Sequence, residues 1–92
     1  MHTDEYEISI NRELNHHQHV VKKIRATLAE RRQRYKMDYA EAAEAAAAGR
    51  LVIAAKELAA WQEDVEALPQ WEQRLDEYRK ALAMMRISAS RS

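Results

Sequence analysis

The chain has 92 residues, with 15 basic and 15 acidic side chains that cancel to a formal net charge of zero. That balance argues against a nucleic-acid-binding domain, which ordinarily carries a basic surplus. The absence of cysteine excludes a disulfide framework or a thiolate metal site.

Residues 1–9 are polar and mixed and read as a flexible arm. Residues 1–7 are acidic and lack the basic and apolar regions of a signal peptide. Ser9 or Asn11 can cap the first helix, with Glu13 in its first turn where a carboxylate favours the helix dipole. From there an apolar stripe runs through Ile10, Leu14, His17, Val21, Ile24 and Leu28, then past Arg31 or Arg32 to Tyr35, Tyr39, Ala42 and Ala46. Spacings of three and four place these residues on one helical face. The pattern predicts a single helix over about 10–48, ~57 Å long.

Gly49 is the only glycine in the chain. Between two long helical patterns it reads as the C′ residue of the first helix, taking the left-handed conformation where the chain reverses. A second stripe follows through Leu51, Ala54, Leu58, Trp61, Val65, Leu68, Trp71, Leu75, Tyr78, Leu82 and Met85. It predicts a helix over about 51–87. Pro69 removes a backbone donor and disfavours helix at Leu68, so this helix is expected to be kinked or broken there. A kink is preferred over a reversal, because the stripe continues across Pro69 and no Gly, Asn or Ser stands beside it. Residues 88–92 read as a disordered tail.

The resulting fold class is all-α, a long antiparallel helical hairpin with Gly49 at its apex and residues 10–87 as its one domain. Leu, Ile and Val are too few for a deep core, since alanine supplies much of the 47% hydrophobic content. Such a chain is expected to cover its stripe by forming a homodimeric helical bundle, a coiled-coil-like arrangement. Folding about Gly49 opposes Lys22 to Glu77, Lys23 to Asp76, Lys36 to Glu63 and Glu13 to Arg86, with Arg31 and Arg32 near Glu66. Alanines on both sides of the apex allow close helix approach there.

Three sets of residues invite a functional reading. The first is the apolar face, and above all its larger side chains: Trp61, Val65, Leu68, Trp71, Leu75, Tyr78, Leu82 and Met85 with Leu14 and Val21. Tryptophan and tyrosine are favoured interface anchors, and Trp71 beside Pro69 is the best candidate for an exposed one. The second is the basic stretch Lys22, Lys23, Arg25, Arg31, Arg32 and Arg34, which could contact nucleic acid. Its opposition to acidic residues in the same chain makes intramolecular pairing the better explanation. The third is Glu13, His16 and His17, whose three- and four-residue spacing resembles half of a carboxylate-bundle metal site. The opposing segment supplies no further carboxylate, so His17 reads better as a polar layer in the stripe.

No glycine-rich phosphate loop or nucleophile constellation is present, so catalysis is not expected and no cofactor is called for. The longest strongly apolar run, residues 51–55, is far short of the ~20 residues that span a bilayer. The reading is a cytoplasmic, non-catalytic protein–protein interaction module, such as a small adaptor, chaperone or assembly subunit. Its partner is a second copy or another protein, with nucleic acid and metal as alternatives and no membrane partner.

Overall fold

The computed structural model describes the backbone of residues 2–91 and the side chains of residue 5 and residues 7–86. All of its regular structure is helical: α1 is His2–Tyr35, α2 is Tyr39–Ala47 and α3 is Ala55–Arg91. The all-α class is as expected, but the helix boundaries differ, each for a local reason. Met1 and Ser92, the ends of the expected arm and tail, lie outside the described residues.

The helix expected over 10–48 is two helices. α1 ends at Tyr35, and Lys36 follows in the left-handed region at φ 60°. The Lys36 amide donates to the Arg32 carbonyl at 2.8 Å, so the last turn closes as an αL cap without glycine. An L-residue loses roughly 1–2 kcal/mol in this conformation. Asp38 then starts α2 as its N-cap, its Oδ1 accepting from the Glu41 amide at 2.9 Å. Such a cap contributes ~1 kcal/mol, and Glu41 in the first turn adds favourable charge at the helix N-terminus.

α1 also starts at His2 rather than near residue 10, so residues 2–9 are helical instead of a loose arm. Glu5 and Glu7 near that N-terminus complement its dipole. At the other end α3 carries helix through residues 88–91, which were expected to be disordered.

Gly49 has φ 77° and is the C′ residue of α2. The Arg50 amide reaches the Ala45 carbonyl at 2.8 Å and the Gly49 amide reaches Ala46 at 3.2 Å, the paired bonds of a Schellman motif. Residues 50–54 stay non-helical because Val52 and Ile53 are β-branched and lose side-chain freedom in a helix. α3 therefore begins at Ala55 rather than near residue 51. Pro69 lies inside α3 without ending it. The α3 helix is continuous at Pro69, but the Val65 carbonyl loses the amide partner that proline cannot supply.

The chain divides into two compact units, residues 23–69 and residues 1–22 with 70–92, called here central and terminal. In the central unit α1 packs antiparallel on α3, as the pairs Arg31–Asp64 and Arg34–Glu57 show. Trp61 is its largest buried side chain, 2% exposed. Tyr35 stacks on the indole at 5.5 Å between centroids, and Tyr39 meets it edge-on at 6.0 Å. Ala42 and Ala45 are buried on α2, whereas Ala54, Ala55 and Ala59 beyond Gly49 are exposed. In the terminal unit Ile10, His17 and Val21 of α1 are buried, as are Leu75 and Leu82 of α3.

Candidate interaction surface

The apolar face divides into side chains covered by the chain itself and side chains left open. Trp61, Leu75, Leu82 and Val21 are buried, so four of the ten candidate contact residues already spend their apolar area inside the chain. Leu14, Leu68, Trp71, Tyr78 and Met85 are half-buried. Val65 is 38% exposed although it occupies the same stripe as Trp61 and Leu68. In the central unit the open side chains stand together in sequence pattern: Ile24 and Leu28 on α1, Leu58, Val65 and Leu68 on α3, none fully covered. Two helices can enclose a stripe from one side only, which leaves its edges to water unless something else packs there.

Beyond the stripe, Val52 is 97% exposed in the link between α2 and α3, and Met84 is 70% exposed on α3. Single exposed apolar side chains are ordinary on protein surfaces. The half-open stripe is the more informative feature because its members recur at helical spacing on two helices.

The terminal unit holds the histidines. His17 is 5% exposed. Its Nδ1 donates to the Glu13 carbonyl at 2.8 Å, which places a proton on Nδ1. The ring packs 4.9 Å from both Trp71 and Tyr78. His16, exposed on the adjoining face, meets the Trp71 edge at 6.1 Å. Trp71 is therefore a half-buried partner of two imidazoles rather than a free anchor. The Glu13 carboxylate lies 4.0 Å from His17 Nδ1, but among the described residues no group of three or more His, Asp or Glu is arranged to hold an ion. The His17 Nδ1 is engaged by the backbone of its own helix. His17 is the polar layer of an apolar stripe.

The basic stretch is partly neutralised in place. Arg31 binds Asp64 at 2.8 Å in a part-buried pair, and Arg34 lies 3.5 Å from Glu57 and 3.4 Å from Glu30. Lys22, Lys23, Arg25 and Arg32 have exposed side chains. The opposing carboxylate is Asp64 rather than the expected Glu66, a shift of two positions along α3. Beside this pair, the Tyr35 phenol is held above its ordinary pKa, first by its hydrogen bond to Glu57, then by partial burial and the Glu57 charge.

Two features of this surface had local signals in the sequence. Asp38 and Glu41, three apart, form the acidic version of a capping box and mark the start of α2. Val52 and Ile53 mark the extended link. The half-burial of Leu28, Leu58 and Leu68 had no signal of its own, since it depends on how the helices pack and not on local sequence.

No helix among the described residues is long and apolar enough to cross a membrane. Comparison with known proteins gives no match: no family model fits the chain, and no curated protein or solved structure is significantly similar.

Proposed function

We propose that the chain is a non-catalytic protein–protein interaction module, acting as a small adaptor, chaperone or assembly subunit. Its helices form a hairpin that pairs with a second copy as a helical bundle or docks on another protein. The observation that carries this reading is the half-covered stripe of Ile24, Leu28, Leu58, Val65 and Leu68. Apolar area left at the edge of a packed helix pair is favourable to bury, at ~25 cal/mol per Å² removed from water. Helix-in-groove recognition uses anchors at this spacing.

Nucleic-acid binding is the weaker reading, because Arg31 and Arg34 are engaged by carboxylates of the same chain. Val65→Glu separates the two. A partly exposed Val65 tolerates glutamate in the isolated chain, whereas a partner packed there must bury an unpaired charge. Association with a second copy or a captured protein is expected to weaken at least tenfold, measured by sedimentation velocity or titration calorimetry. Unchanged association, with a nucleic-acid complex that weakens steeply with salt, would sink the proposal.

A further inference from the structure

We propose that residues 36–38 are a two-state hinge, whose second state is the continuous α1–α2 helix that the stripe spacing describes. Four observations point to it. The stripe keeps its phase across the break, since Tyr35, Tyr39, Ala42 and Ala46 remain three or four apart. No glycine or proline occurs from residue 2 to residue 48, and Lys36 and Met37 are good helix formers. The break holds Lys36, an L-residue, in the left-handed region at φ 60°. What opposes that strain locally is a single exposed cap, Asp38 Oδ1 to the Glu41 amide at 2.9 Å.

The strain at Lys36 and the cap at Asp38 are of similar size and opposite sign, so neither fixes the hinge by itself. The remaining difference sets the helical backbone bonds that the break forgoes against the tertiary contacts of α2, whose two buried side chains, Ala42 and Ala45, are both small. Tyr35 and Tyr39 on either side of the hinge both pack on Trp61. In a continuous helix these two tyrosines are one turn apart on the same face, so the indole can remain covered in both states. A packed element with two arrangements of similar free energy is what a binding partner can shift.

The chain has no cysteine, so Ala29→Cys with Ala47→Cys gives two unique and exposed spin-label sites. In a continuous helix their eighteen-residue separation corresponds to ~27 Å on one face. Pulsed dipolar spectroscopy of this pair is expected to give a major shorter distance and a minor population near 27 Å. Asp38→Ala should raise the ratio of long to short populations about fivefold, the usual worth of a cap. Lys36→Gly, which relieves the strain, should deplete the long population. An Asp38→Ala distribution identical to the parent, or one short distance in every variant, overturns the proposal. Near-UV circular dichroism of the Trp61 environment establishes that Asp38→Ala is folded. Should it not fold, Lys36→Gly decides alone, and an undiminished 27 Å population in that variant overturns the hinge.

Discussion

Gly49 tests how the C-terminal end of α2 is held. At φ 77° it occupies a conformation that L-residues disfavour, yet a Cβ added there meets no atom within 4 Å. Substitution is therefore penalised by backbone strain and not by collision. Gly49→Ala costs roughly 1–2 kcal/mol of left-handed strain. It recovers about 0.4–1 kcal/mol by restricting the unfolded chain. The net loss is ~1 kcal/mol, or a fall in melting temperature of about 4–8 °C for a domain of this size. Gly49→Asn should cost less, because asparagine tolerates the left-handed region, and Gly49→Val more, because it is β-branched. Thermal melts by circular dichroism at one fixed concentration give the order, since association also shifts the midpoint. A valine variant as stable as the parent would refute the cap and the strain argument together.

Trp61→Ala should cost about 3–5 kcal/mol in urea denaturation, enough to leave the chain marginal, while Trp61→Phe keeps a ring against Tyr35 and Tyr39 and costs less. A double-mutant cycle on Arg31 and Asp64 should give a coupling of about 0.5–1 kcal/mol that shrinks with added salt. A coupling independent of salt would show that packing, not charge, joins the two helices there. Tyr35 is raised chiefly by its hydrogen bond to Glu57, so the folded chain favours the protonated phenol. Its contribution to stability is present below the ordinary tyrosine pKa and is lost as pH rises through the higher folded value. In a spectrophotometric titration Glu57→Ala should return Tyr35 toward the ordinary value; an unmoved tyrosine would mean that Glu57 is not the cause.

What could be read in advance follows from how local each signal is. Gly49 declares itself, because one glycine between alanine-rich segments has few other uses, and its φ and hydrogen bonds agree. The break before α2 was hidden by Lys36, a helix former that adopts a conformation usually left to glycine, and by a stripe that keeps its phase through it. Its only sequence mark is the Asp38–Glu41 box. His17 was legible as a polar layer from its place in the stripe, and it is buried between Trp71 and Tyr78. Trp61 looked like a contact residue and is a core residue instead. That outcome depends on how α1 and α2 meet α3, which brings Tyr35 and Tyr39 onto the same indole. Propensity alone cannot supply such an arrangement. Pro69 shows the limit from the other side, since α3 runs on through a residue that local rules treat as a boundary.

The half-covered stripe is proposed as a binding face. Light scattering of the purified chain across micromolar concentrations, with and without an apolar fluorescent dye, tests it most directly. The expected result is either twice the chain mass, or a single-chain mass that binds the dye and loses that binding with Val65→Glu. A single-chain mass at every concentration together with no dye binding would contradict it.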